Sequence, residues 1–217
     1  MKYNLKQEKT KAIIDYTLYL VTDQDLMTAS TIEESVEQAI LGGVTVVQLR
    51  EKTASSGEFY KAALKARGVT SRLNVPLIIN DRVDIALAVG ADGIHVGQDD
   101  LPYSEVRRIA GQDMILGVSA NNLAEAIAAS EAGVDYIGVG AMFATATKTN
   151  TRATGMDELK RIRAAVDIPI VAIGGIGMSN VHLFNGTGID GIAVVSAIVA
   201  QENATTAARE LKSLFKP

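Results

Sequence analysis

Short apolar runs rich in β-branched residues recur along the whole chain, separated by segments with helical spacing. The runs are Leu18–Val21, Val44–Val47, Leu77–Ile79, Gly93–Val96, Met114–Val118, Tyr136–Val139, Ile170–Ile173 and Gly191–Val195. Their brevity, their branched residues and the turn residues around them predict buried strands. Between them, Thr31–Ile40 opens with a Thr-x-x-Glu capping box and runs to Gly42, and the Ala-rich stretch Asn122–Ala132 ends at Gly133. Pro102 stands where a first helical turn accepts it. Three turns repeat one theme, Gly90-Ala91-Asp92, Gly133-Val134-Asp135 and Gly188-Ile189-Asp190, each predicting a glycine-capped helix end that feeds a strand.

Eight strand–helix units in about 200 residues predict an α/β fold, a single-domain (β/α)8 TIM barrel over residues 17–217. Residues 1–16 are expected to form an N-terminal arm or short helix closing the bottom of the barrel. The competing architecture is an open doubly wound sheet, with fewer units and a glycine-rich turn after the first strand. Here Thr22-Asp23-Gln24-Asp25 follows that strand, without glycine. Rim chemistry in such a barrel gathers at the carboxyl ends of the strands, and the strand starts read as plain.

Composition narrows the classes. The chain has 217 residues, 47% hydrophobic and 21% charged, an ordinary soluble balance. A net charge of −4 argues against nonspecific nucleic-acid binding. There is no Cys, which excludes disulfides, thiol nucleophiles and Cys-ligated metal sites. The stretch Met1–Lys9 lacks the apolar core of a secretory signal, and no apolar run reaches the ~18 residues of a membrane span. A cytoplasmic protein with small-molecule partners, no nucleic acid and no membrane is therefore expected. A homo-oligomer is left open.

The polar residues supply the candidate chemistry. If the second strand continues past Val47, Gln48, Arg50 and Lys52 point one way above Val46. Two cations on the inner side of a buried strand call for an anion. The third strand ends in Asn80-Asp81-Arg82, the fourth in Gly97-Gln98-Asp99-Asp100, the fifth in Ser119-Ala120-Asn121 and the eighth in Ser196. Gly174-Gly175 after the seventh strand, with Ser196, fits the phosphate cradle of such barrels. Arg50, Lys52 and Lys148 form a second anion-binding set, and the carboxylates Asp81 and Asp100 suit a hard cation such as magnesium. Two anion sites and a metal imply two phosphorylated ligands, one of them a diphosphate. Taken singly, Asp81, Ser119 and Ser196 also read as helix caps. His95 reads as a hydrogen-bonded interior histidine.

At these residues the chain resembles the thiamine-phosphate synthase family, from Leu18 to about Ser196. The elements that carry the likeness are Leu18–Asp23, Gln48–Lys52, Ile79–Arg82, His95–Leu101, Gly117–Ser119, Thr145–Lys148 and Ile173–Ile176, in that order. The resemblance implies a transferase that joins hydroxymethylpyrimidine diphosphate to hydroxyethylthiazole phosphate through a dissociative, magnesium-assisted substitution. It implies that Gln48, Leu49, Arg50, Glu51, Lys52, Asn80, Ser119 and Lys148 hold the pyrimidine diphosphate. Among these Arg50, Lys52, Ser119 and Lys148 would be catalytic. Thr145, Ala146, Thr147, Gly175, Val195 and Ser196 would hold the thiazole phosphate, and Asp81 and Asp100 one Mg2+. The chain departs from the family at Ala141 and Ala144, where proline is frequent, and in residues 1–16, longer than the usual lead-in. The loop Ala141–Ala153 reads as a lid. Three rivals remain: a Schiff-base aldolase using Lys148, a noncatalytic or isomerising thiazole-phosphate binder, and a regulatory protein. The second has no use for Arg50, Lys52, Asp81 and Asp100, and the third none for the magnesium ligands Asp81 and Asp100.

Overall fold

The apolar runs lie side by side as parallel strands: β1 (Leu18–Val21), β2 (Val46–Leu49), β3 (Leu77–Asn80), β4 (Gly93–Val96), β5 (Ile115–Ala120), β6 (Tyr136–Val139), β7 (Ile170–Ile173) and β8 (Gly191–Val194). Pairing runs in chain order, and β8 returns to β1 with Ile192 opposite Leu18, so the sheet closes into the expected eight-stranded barrel. The computed structural model describes residues 13–144 and 154–217.

Helices cover the outside: α1 (Ile32–Leu41), α2 (Ser56–Arg72), α3 (Val83–Ala88), α4 (Tyr103–Ala110), α5 (Leu123–Glu131) and α6 (Gly155–Ala165), with α7 (Ser196–Val199) and α8 (Ala204–Leu214) after β8. The crossover from β7 to β8 is only a 3-10 turn, Val181–Phe184. Asn180, Asn185, Gly186 and Gly188 leave no run of helix formers there, yet Val181 and Phe184 still fill the outer layer. Among the described residues no helix is long and apolar enough to cross a membrane.

Side-chain alternation along each strand makes two apolar layers. Leu18, Leu20, Val47, Leu49, Leu77 and Ile79 face the helices. Tyr19, Val21, Val46, Ile78, Ile115, Tyr136, Val171 and Ala193 fill the interior. Tyr16, just before β1, joins the interior and stacks on Tyr136 with ring centroids 4.9 Å apart. Two strand glycines clear space for large interior groups. A Cβ on Gly117 would lie 2.1 Å from the Tyr136 ring, and one on Gly138 would lie 3.1 Å from His95.

Several local expectations are corrected. β2 begins two residues later than the apolar run suggests, because Val44 N–H donates to Ala39 O at the tail of α1 and the strand carries on through polar Gln48. Pro102 is the residue before α4, not in its first turn. Thr31 caps α1 by accepting from Glu34 N–H, but the Glu34 carboxylate accepts from Ser30 N–H, so the box is not reciprocal.

The strand starts are not plain. Asp92 accepts from Leu77 N–H at 2.8 Å and pairs with Arg67 of α2. Asp135 accepts from Leu116 N–H at 2.8 Å and pairs with Arg107 of α4, while Asp190 accepts from Ile170 N–H at 2.8 Å and pairs with Arg163 of α6. Before β2 the same place is taken by Thr45, whose Oγ1 accepts from Leu18 N–H at 3.1 Å, and Lys212 of α8 donates to Gly43 O. The Gly-x-Asp turns are thus one clamp repeated around the barrel floor, each tying a helix to the strand that follows it.

Candidate active site

A cavity of about 560 Å³ opens at the carboxyl ends of the strands, and all eight strands contribute to its lining. That is room for two small phosphorylated ligands together.

The first wall comes from β2, β3 and β4. Alternation carries Gln48, Arg50 and Lys52 into the cavity. Leu49 is fully buried in the layer under the helices, and neither it nor Glu51 lines the cavity, because both have the opposite parity. Arg50 is fixed twice: its N–H donates to the buried Thr22 Oγ1 at 3.1 Å, and its guanidinium lies 3.4 Å from Asp23. Asn80, Asp81 and Asp100 line the same side.

Asp81 has φ of +61, a left-handed conformation that a non-glycine residue adopts at a cost of about 1–3 kcal/mol. Its N–H donates to His95 O at 2.8 Å, and its carboxylate meets Lys52 Nζ at 2.5 Å. Burial raises the Asp81 carboxyl above its ordinary range, Lys52 pulls it down, and the neighbouring Asp100 adds to the rise. Asp100 in turn accepts from Gly97 N–H at 2.8 Å. Two carboxylates forced together at a cavity mouth repel unless a proton or cation joins them. Their oxygens fit a hard divalent ion.

The second wall comes from β7 and β8. Gly174 and Gly175 have φ of +102 and +65, and a Cβ on Gly175 would lie 2.8 Å from Ala144 O and from Phe143 Cβ. Glycine is required at Gly175 on both counts. Asn180 staples this turn, accepting from Gly177 N–H and donating to Gly175 O, each at 2.9 Å. Val195 and Ser196 line the wall beside it. Gly175 N–H has no partner among the described residues.

The capping alternatives fail. Arg82 occupies the cap position of α3, Asn122 caps α5 and Val195 precedes α7, so Asp81, Ser119 and Ser196 cap nothing. Thr145, Ala146, Thr147 and Lys148, with most of the Ala141–Ala153 loop, lie outside the described residues.

The cavity floor is polar. Gln48 Nε2 donates to Tyr19 OH at 2.8 Å, and Tyr19 OH lies 2.7 Å from Tyr136 OH. Tyr136 OH lies 3.0 Å from His95 Nδ1, and His95 Nε2 lies 3.0 Å from Ser119 Oγ. His95 is the interior histidine expected. Burial lifts the Tyr19 and Tyr136 hydroxyls well above the usual phenol range, so both stay neutral.

Residues 18–198 match the family model described as thiamine monophosphate synthase. This chain belongs to that family. A thiamine-phosphate synthase of Clostridium botulinum is 59% identical over 202 residues, covering 93% of this chain and 95% of the relative. One from Alkaliphilus oremlandii is 54% identical and spans 100% of both chains, so the long lead-in has a counterpart there. Among solved structures, thiamine phosphate pyrophosphorylase from Pyrococcus furiosus superposes with a TM-score of 0.84 at 39% identity, covering 92% of this chain and 95% of that one.

Sequence reasoning missed Thr22, Asp23, Tyr19, Tyr136 and Asn180. The first two follow β1 directly, and a strand end is itself the signal. The tyrosines read as plain core, and nothing in the one-dimensional pattern marks Asn180 as a staple.

Proposed function

We propose that the chain joins hydroxymethylpyrimidine diphosphate to hydroxyethylthiazole phosphate, giving thiamine phosphate and pyrophosphate. The observation that carries this is the meeting of Arg50, Lys52, Asp81 and Asp100 with the Gly174–Gly175 turn around one cavity. The cationic wall receives the diphosphate. Gln48, Asn80 and Ser119 complete that site, with Lys148 and the backbone around Leu49 and Glu51 as further candidates. The glycine wall, with Val195, Ser196 and the loop residues Thr145, Ala146 and Thr147, receives the thiazole phosphate on backbone N–H groups.

The C–O bond to the diphosphate breaks with its electron pair leaving on pyrophosphate. The remaining carbocation is stabilised by the aminopyrimidine, and the thiazole ring nitrogen supplies the new bond. Such a step needs no strong base. Arg50 and Lys52 neutralise the departing charge, and the barrel walls limit competing water. Asp81 and Asp100 would hold Mg2+, which when bound adds positive charge beside the phosphate oxygens. With Asp81 so engaged, Lys52, which it now pairs with, would be available to the diphosphate.

A thiazole-phosphate binder without chemistry is disfavoured by four charged residues it would not use. A Schiff-base route is disfavoured because Lys52, the one lysine lining the cavity among the described residues, is paired with Asp81. A cytoplasmic enzyme acting on small phosphorylated substrates, without nucleic acid or membrane, fits its net charge and its cysteine-free composition. Purified protein, Mg2+ and both heterocycles should yield thiamine phosphate and pyrophosphate in equal amounts. No product, or undiminished product after Asp81→Ala combined with Lys148→Ala, would rule the reading out.

A further inference from the structure

Hydrogen bonds to the backbone have one direction, because a carbonyl oxygen only accepts and a peptide N–H only donates. That fixes the Asn180 amide. Its Oδ1 accepts from Gly177 N–H and its Nδ2 donates to Gly175 O, so the two ends of the amide cannot be exchanged. The preceding carbonyl is held as well, since Phe143 N–H donates to Gly174 O at 3.0 Å. A trans peptide points its N–H away from its own C=O. Gly174 O turns to Phe143, so Gly175 N–H points away from Phe143. Gly175 O turns to Asn180, so Ile176 N–H points away from Asn180. Gly174, Gly175, Ile176 and Gly177 line the cavity, whereas Phe143 and Asn180 do not. The Gly175 and Ile176 N–H groups therefore face the cavity, and neither has a partner among the described residues. The next donor along, Gly177 N–H, is taken by Asn180.

We propose that Asn180 is a positioning residue for a phosphate monoester. From behind the turn it makes the Gly175 and Ile176 N–H groups the two donors that meet the phosphate, and it withholds Gly177 N–H. Successive N–H groups around a left-handed residue form a concave anion-binding nest, and Gly175 has φ of +65. Asn180 itself touches no ligand in this role and acts through the peptide it holds.

The packing around the turn shows why a side chain is needed there. One flank lies against the exit of β6: a Cβ on Gly174 would lie 2.6 Å from Ala141 Cα, and one on Gly175 would lie 2.8 Å from Phe143 Cβ. On the other flank Asn180 is, among the described residues, the one side chain bonded to the turn. Without it the Gly175–Ile176 peptide is free to rotate, since glycine resists neither sign of φ. Gly175 O can then turn into the cavity and repel a phosphate oxygen. The proposal rests on the reading of this wall as the thiazole-phosphate site and names the atoms that meet the ligand there.

Amide NMR of the nitrogen-labelled full chain, titrated with inorganic phosphate and separately with hydroxyethylthiazole phosphate, reads the nest directly. The Gly175 and Ile176 amide protons should move downfield with either ligand, while that of Gly177 stays in place. A downfield move at Gly177, or none at Gly175 and Ile176, would overturn the proposal. In steady-state assays Asn180→Ala should raise the KM for thiazole phosphate about 10-fold and leave kcat at saturation and the KM for pyrimidine diphosphate near wild type. An unchanged KM for thiazole phosphate, or equal rises for both substrates, would assign Asn180 to the fold alone and overturn its positioning role. If Asn180→Ala does not fold, Asn180→Asp keeps the acceptor for Gly177 N–H, loses the donor to Gly175 O, and should raise the same KM. An unchanged KM in that variant would likewise overturn the role. A wild-type protein that shows the two-donor pattern with inorganic phosphate but makes no thiamine phosphate would refute the functional reading and leave the nest standing.

Discussion

Arg50 reaches the cavity already oriented, its backbone held by Thr22 and its guanidinium beside Asp23. The pair is part-exposed and 3.4 Å long, so it contributes little to stability, and its value is aim. Replacing Arg50 with Ala should lower turnover by roughly 10²–10³, as for other preorganised charges, while the thermal midpoint stays put. Rate assays beside a melting curve separate the two. The buried phenols make a different prediction. Burial holds the Tyr16, Tyr19 and Tyr136 hydroxyls protonated in the native state at a pH where the unfolded chain, with ordinary values near 10.0, has lost those protons. Above that pH the unfolded state binds fewer protons than the native one. The contribution of these groups to stability is whole below about pH 10 and is lost as pH rises from there toward the raised native values. Urea unfolding at a series of alkaline pH values should show this decline, and Tyr19→Phe should shrink it.

At the scale of strands and turns, the Gly-x-Asp clamps decide how the barrel floor is tied together. Removing the Asp92 carboxylate leaves the N–H of Leu77, a fully buried residue, without its acceptor. Asp92→Ala should therefore cost about 1–3 kcal/mol in unfolding free energy without altering KM. Equal stability would show that water replaces the carboxylate. Gly175→Ala meets both a left-handed φ and a blocked Cβ position, so it should raise the KM for thiazole phosphate and leave pyrimidine diphosphate affinity near normal. Much of this layer was legible in the one-dimensional pattern. Apolar runs located every strand, and alternation put Gln48, Arg50 and Lys52 on one face. What escaped depends on contacts distant in sequence. The start of β2 is set by a bond from Val44 back to α1, the role of Asp92 by the N–H of Leu77, and the polar cavity floor by two tyrosines that look like ordinary core until their hydroxyls meet.

Across the whole molecule, closure of the sheet is what turns separate strand ends into one site. β2 and β3 bring positive and negative side chains, β7 and β8 bring a glycine turn, and the barrel diameter holds these walls on either side of a polar floor. The central claim is that each wall has its own phosphate ligand. Calorimetric titration with magnesium pyrophosphate and, separately, with hydroxyethylthiazole phosphate tests it directly in wild type, Arg50→Ala and Gly175→Ala. The account predicts that Arg50→Ala loses pyrophosphate binding and keeps the thiazole phosphate, and that Gly175→Ala does the reverse. Equal weakening of both ligands by either substitution would contradict it.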